Sequence, residues 1–365
     1  MLVEQRQELL LQELRATGAV RVAELAERFG VSAGTIRRDI AELADLGRLT
    51  KVRGGAVPAQ RAVAPPAPGG GPEPEAPADP HRPTIGLLVP SATYYYPRVV
   101  AGVREVAARY GARVVIGLSD YAQPRDERQI EELCASGADG LLIASTGGHT
   151  VPPAVLARLR ATGRPFVLLE RRPQEPDDPC EFVVSDHATG AGRAVRHLRD
   201  LGHRAVALFT AGSPTAPLVR EGYERAVRQL ELDPGAPVAG ADEPASGTPA
   251  AVARYDAFIE ECRAHGTRAA LVHSDQDAIE LLQRLRAKGL RTPDDLALIA
   301  YDDEIASLAE VPLTAVAPPK RQLGEAAAQL LLDRLPARAE LAPRQVVLQP
   351  QLTVRESCGA ASAGA

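Results

Sequence analysis

The residues from Ser32 to Arg38, SAGTIRR, bring two hydroxyls, small residues and two guanidinium groups into two helical turns. At about 100° per residue, a helix capped by Ser32 turns Gly34, Arg38, Ala41 and Asp45 to one side, with Thr35 and Arg37 on the flanks. Ile36, Ile40 and Leu43 form the opposite, apolar stripe. Small residues permit close approach, and guanidinium forks match phosphate oxygens or the O6/N7 edge of guanine. Such a face suits a DNA major groove. A second set of polar residues, at the ends of apolar runs, offers different chemistry: Thr93 to Tyr96, Ser119 to Tyr121, Ser145-Thr146, Glu170-Arg171, Ser185-Asp186, Ser274-Asp275 and Asp302-Asp303. Aromatic faces stack on C–H surfaces, while carboxylates and an arginine chelate adjacent hydroxyls, so this set suits a polyhydroxylated small molecule.

The elements that position the first set are short. Val22, Leu25, Ala26 and Phe29 recur at i, i+3, i+4 and i+7, and Gly30 closes that helix before Ser32 opens the next. An earlier helix over about residues 3–16 presents Leu10 and Leu14. An ordinary helical hairpin with a solvated face has the same pattern. What distinguishes this one is RLTKVRGGAV, residues 48–57, an alternating hairpin whose Arg48, Lys51 and Arg53 are spaced to grip phosphates. Together these segments, through ELAERFGVSAGTIRRDIAELADLGRLTKVRGGAV, resemble the DeoR-type winged helix-turn-helix over about residues 3–57. The resemblance implies that Ser32, Gly34, Thr35, Arg37, Arg38, Lys51 and Arg53 face double-stranded operator DNA.

Residues 58–83 are mostly proline, alanine and glycine without apolar period, and read as a flexible, partly polyproline linker. From Thr84 onward, short β-rich runs such as TIGLLVP, ARVVIGL and ADGLLIAS alternate with helices of 10 to 16 residues. That alternation specifies an α/β fold with doubly wound parallel sheets, whose ligands sit outside the C-terminal strand ends. The segments IGLLVPSATYYYPRVVAGV, PFVLLERR, VVSDHATGAGRAVRHLRDLGHRAVALF, ALVHSDQDAI, GLRTPDDLALIAYDDE and LTVRESC resemble the effector domain of the lactose/galactose-repressor family. The resemblance covers residues 84–357 and implies a periplasmic-binding-protein fold: two Rossmann-like subdomains flank a central cleft. The first spans 84–187 and 319–342, the second 188–317 and 343–357, and 358–365 form a disordered tail.

The family's sugar contacts fall on Thr93, Tyr95, Tyr96, Glu170, Arg171 and Asp302, with Asp120, Ser274 and Arg220 as further candidates. Three places depart from its pattern. Ser274 stands where Asn is common, Pro318 stands where Gln often reaches the ligand, and Arg220 lies one residue nearer the following Gly-Tyr than usual. Duller roles stay open for some residues. Asp275 and Asp303 can bond within their loops, Tyr94 to Tyr96 can belong to the core or a dimer surface, and Glu170-Arg171 can be an exposed ion pair.

The whole chain has 42 Lys/Arg against 47 Asp/Glu, but residues 1–57 hold nine against eight, so a local field does the attracting. The four cysteines are scattered without metal spacing, which fits a reducing cytoplasm and neither disulfides nor zinc. No basic n-region opens the chain and no run approaches 18 apolar residues, so neither export nor membrane insertion is expected. There is no GxSxG, phosphate loop or dinucleotide fingerprint, so the expectation is no enzyme, no cofactor and no metal. The reading is a cytoplasmic transcriptional regulator, a homodimeric repressor controlled by a sugar, polyol or sugar phosphate. Its rivals are a sensor that has lost its ligand and serves dimerisation, and a solute-binding protein.

Overall fold

The computed structural model describes residues 6–7, 10, 20–21, 25–26, 31–45, 49–52, 55–58, 82–119, 123–210, 212–240, 249–335 and 341–360. The chain divides into two compact units, Met1–His81 and Arg82–Ala365. Asp120, Arg48, Arg53, Leu14, Val22, Phe29 and the linker from 59 to 81 lie outside the described residues.

In the first unit, helix Ala33–Asp45 buries Ile36, Ile40 and Leu43 against Leu10, Leu25 and Leu49. Strands Leu49–Val52 and Gly55–Pro58 pair antiparallel, and Val20–Arg21 adds a third strand. Pro58 pairs with Leu49 and therefore belongs to the hairpin, not to the linker that sequence alone starts at 58. A proline is tolerated there because it ends the strand.

The second unit contains two six-stranded sheets. The first runs in the order Gln345–Leu348, Phe182–Ser185, Phe166–Leu169, Gly140–Ile143, Thr84–Val89, Arg113–Leu118, and every pair is parallel. The second runs Val238–Gly240, Ala207–Thr210, Ala269–His273, Ala297–Tyr301, Thr314–Ala317, Gln351–Thr353; only its last pair is antiparallel. Both faces of each sheet are covered, which is why the central strands are continuous apolar runs. Helices Tyr96–Arg109 and Lys320–Arg334 pack on one face of the first sheet through Val99, Val103 and Leu323. Gln123–Ala135 and Pro153–Ala161 pack on the other through Leu133, Leu156 and Leu159. The second sheet lies between Pro249–His265 with Asp275–Ala287 and His187–Asp200 with Ala216–Gln229.

Two helix pairs approach so closely that only glycine fits. A methyl on Gly102 would run into the Arg321 carbonyl, and one on Gly222 into the Ala188 carbonyl.

The chain passes between the sheets after Ser185, at Pro318-Pro319, and again between Leu348 and Gln351. The last passage corrects the expected boundary. Sequence alone assigns 343–357 to the second lobe, but Val346 and Val347 pair with Val183 and Val184, extending the first sheet. A four-residue edge strand carries too little pattern to announce its partner. Two further ends shift. The Pro83 carbonyl accepts from Arg113 N at 2.9 Å, so the folded sensor begins before Thr84. Cys358 is buried, its thiol meeting Thr314 Oγ1 at 3.1 Å and His197 Nε2 at 3.4 Å, so residues 358–360 are not a tail.

Candidate ligand cleft and DNA-facing helix

On helix Ala33–Asp45, Thr35 N donates to Ser32 Oγ at 3.1 Å, which satisfies one free amide of the first turn. The Ser32 and Thr35 hydroxyls are 2.9 Å apart and bond each other. Gly34 and Arg38 are exposed on the face opposite the buried stripe. Lys51 lies on strand Leu49–Val52, and Arg37 within the helix; their side chains, like Arg53, lie outside what is described.

Asp39 plays a part that the sequence reading missed. It shares the buried stripe, and Arg6 clamps it with Nε to Oδ2 at 2.5 Å and Nη2 to Oδ1 at 3.0 Å. This bidentate pair, 7% and 2% exposed, ties Arg6 to helix Ala33–Asp45. The available signal was spacing: Ile36, Asp39, Ile40 and Leu43 fall at i, i+3, i+4 and i+7, which places a carboxylate among core residues.

In the second unit a cavity of about 170 Å³ opens between the lobes. The first lobe lines it with Tyr94, Tyr95, Tyr96, Glu170 and Arg171. The second contributes the loop Ser213–Thr215, together with His273, Ser274 and Asp302. All sit at or just beyond C-terminal strand ends, where a parallel sheet leaves its crevice. Tyr94, Glu170 and Asp302 hold positive φ of 60°, 52° and 89°. A left-handed backbone is costly for such residues, and strain of this kind gathers at binding sites.

Glu170 is the most heavily bonded group. Its Oε1 accepts from Tyr95 OH at 2.5 Å and Ser185 Oγ at 2.7 Å. Its Oε2 accepts from Ser185 N at 2.9 Å and lies 3.3 Å from His187 Nε2. Burial pushes this carboxyl up, but attraction to His187 and the bonds from His187, Ser185 and Tyr95 outweigh it and hold it at about 2. Sequence alone has Glu170 accepting ligand hydroxyls; its four bonding directions are instead taken by the protein, and it orients Tyr95 and His187. Burial, then Glu170 and Asp302, drive the Tyr95 phenol well above its ordinary value.

Arg171 donates from Nε to the Ser145 carbonyl at 2.7 Å and from Nη1 to the Glu170 carbonyl at 2.8 Å. It is therefore no exposed ion pair, and Nη2 has no partner among the described residues. Across the cavity, Tyr94 OH donates to Asp275 and lies 3.3 Å from Asp302 Oδ2, and His273 Nε2 lies 4.0 Å from the same oxygen. Burial raises Asp275, while its bonds from Tyr94, Ile305 N and Glu304 N pull it back. Burial also lowers His273. Lys320, 2% exposed, donates to the Asp302 carbonyl, reaches Glu304 Oε1 at 2.7 Å and sits 4.9 Å above the Tyr95 ring.

Tyr95, Tyr96, Glu170, Arg171, Ser274 and Asp302 thus converge on one cavity. Thr93 is exposed and bonds Ser91, so it does not line the cavity. Arg220 points beside Gly240 and Thr210, at the edge of the second sheet, in keeping with its shifted position in sequence. Asp303 pairs with Arg355 at 2.7 Å, a loop role. His187, His273 and Lys320 were missed; isolated in sequence, they become neighbours only through the two sheets, and Tyr94, named in the strand-end set, was given no contact of its own. Among the described residues, no cluster of His, Cys, Asp or Glu could hold a metal ion, and no helix is long and apolar enough to cross a membrane.

Comparison with known proteins agrees at both ends of the chain. Residues 6–62 match the DeoR-like helix-turn-helix domain, and residues 195–358 match a periplasmic binding protein-like domain. The arabinose metabolism transcriptional repressor of Geobacillus stearothermophilus is 29% identical over 345 residues, 92% of this chain and 89% of the repressor. The solved complex of the transcriptional regulator CelR with cellobiose has a TM-score of 0.65 at 24% identity, covering 92% of this chain and 98% of that one. An HTH-type transcriptional regulator from the aml 5′ region of Streptomyces limosus is 30% identical over 280 residues, 75% of this chain and 78% of that protein. The chain belongs to this family of helix-turn-helix transcriptional regulators, with a DeoR-like head joined to a sensor of the lactose/galactose-repressor type.

Proposed function

We propose that the protein is a cytoplasmic repressor that binds double-stranded operator DNA as a homodimer and is controlled by a neutral monosaccharide or polyol in the cleft. On the DNA side, Ser32, Gly34, Thr35, Arg37 and Arg38 face the groove, and Lys51 and Arg53 grip the backbone. The observation that carries the ligand class is the lining of the cavity, in which aromatic rings, a carboxylate and a guanidinium converge. Tyr95 and Tyr96 supply ring faces, Asp302 an acceptor and Arg171 Nη2 a donor. Asp302 beside Asp275 repels a phosphate dianion, which favours the neutral sugar over its phosphate. The relative named for arabinose metabolism supports the same class.

The test is calorimetric titration of the full chain with pentoses, hexoses and polyols, repeated with Asp302→Asn. Losing one charged hydrogen bond costs about 1.5–3 kcal/mol, a tenfold to hundredfold fall in affinity. Unchanged affinity in Asp302→Asn refutes the assignment. One observation favours the rival, a sensor retained only for dimerisation: the Tyr94 hydroxyl already bonds Asp275. Heat from no member of the panel at millimolar concentration would establish that rival.

A further inference from the structure

Tyr94 stands out among the cavity residues because it bonds across the cleft. It rises from the loop after strand Thr84–Val89 of the first lobe, and its hydroxyl donates to Asp275 of the second. The same oxygen lies 3.3 Å from Asp302 Oδ2. Its backbone is left-handed at φ 60°, an uncommon state for an aromatic residue. The loop thus holds a strained conformation that delivers one phenol to two carboxylates. A phenol has a single proton, so it satisfies Asp275 and leaves Asp302 with a long, weak contact. The other Asp275 oxygen is already filled, by Glu304 N at 2.7 Å and Ile305 N at 2.8 Å.

We propose that Tyr94 is the specificity-determining residue of the cleft, an internal stand-in for a ligand hydroxyl that any effector must displace from Asp275 and Asp302. This deepens the sugar reading above and rests on it. Two consequences follow from the geometry. A ligand with two adjacent hydroxyls carries a proton for each carboxylate, whereas Tyr94 carries one, so a vicinal diol displaces it and a lone alcohol does not. The ring also lines the cavity, so it fills space that a larger sugar would need.

The experiment uses the full chain with Tyr94→Phe and Tyr94→Ala, after circular dichroism shows both folded. D-ribose, L-arabinose, D-glucose, a monohydric alcohol (n-propanol) and cellobiose are titrated into each. A monosaccharide that binds wild type should bind Tyr94→Phe at least about tenfold more tightly, because no internal bond is given up. Tyr94→Ala should in addition accept cellobiose, which wild type excludes, and n-propanol should bind neither wild type nor Tyr94→Phe. Weaker binding of every sugar by Tyr94→Phe would make Tyr94 a ligand contact and overturn the proposal. A second readout needs no ligand. Without the phenol, Asp275 and Asp302 face each other unbridged, so amides 93–97 and 302–306 should exchange hydrogen several-fold faster in ligand-free Tyr94→Phe than in wild type. Unchanged exchange overturns the proposal even if sugars bind. If no sugar binds any of the three proteins, the sugar reading falls, and the exchange result alone decides whether Tyr94 bridges the lobes.

Discussion

Glu170→Gln keeps the shape of the side chain and removes its charge, which makes it the sharpest probe of the network under the cleft. The carboxyl titrates at about 2 in the fold against an ordinary 4.5. At about 1.36 kcal/mol per tenfold change, that difference corresponds to roughly 3 kcal/mol in favour of the folded state at neutral pH. A glutamine can turn its oxygen toward Ser185 N and His187 and donate its NH₂ to the Tyr95 and Ser185 hydroxyls, which accept once rotated, so the charge is the main loss. The variant should lose about 3 kcal/mol at pH 7, read by urea unfolding with circular dichroism. The pH dependence has a definite sign. Because the folded value is depressed, the carboxylate's contribution is complete above about pH 4.5 and disappears as pH falls through about 2. By pH 3 less than half of the charge contribution should remain, about 1.4 kcal/mol. A variant within 1 kcal/mol of wild type at pH 7, or a gap of the same size at pH 3, would refute the claim that a saturated carboxylate holds this network together.

The head yields two further expectations. Arg38→Ala should cost about 1–3 kcal/mol on the operator and relax preference at one base pair, while Lys51→Ala should weaken all sequences alike and reduce the salt slope by about one. Footprinting and salt titration separate the two, and an Arg38→Ala protein that binds its operator normally would mean that the helix is turned differently. Arg6→Ala strands Asp39 among core residues. Breaking one side of a buried ion pair costs about 3–5 kcal/mol, enough to melt a domain of this size. Calorimetry should therefore show the head's transition lost and the sensor's unchanged.

Much of this protein was legible in the sequence wherever the signal was local. The 3.6-residue stripe of Ile36, Ile40 and Leu43, the Ser32 cap and the alternation of apolar strands with helices each depend on neighbours a few residues apart. The crevice at the strand ends follows from parallel topology, so Tyr95, Arg171 and Asp302 stand out in the sequence as residues that line it. What each residue does there was decided by tertiary structure. Glu170 looks like a ligand acceptor until Ser185 and His187, on a neighbouring strand and the crossover after it, fill its oxygens. Tyr94 and Asp275, 181 residues apart, become partners only when the second sheet folds over the first. Strand Gln345–Leu348 joins the first sheet because the edge beside Phe182–Ser185 is free to accept it, a condition that no stretch of four residues encodes. Periodicity reports which face of an element is buried. The pairing of a buried polar group with its partner depends on distances that the chain sets only once both lobes are packed.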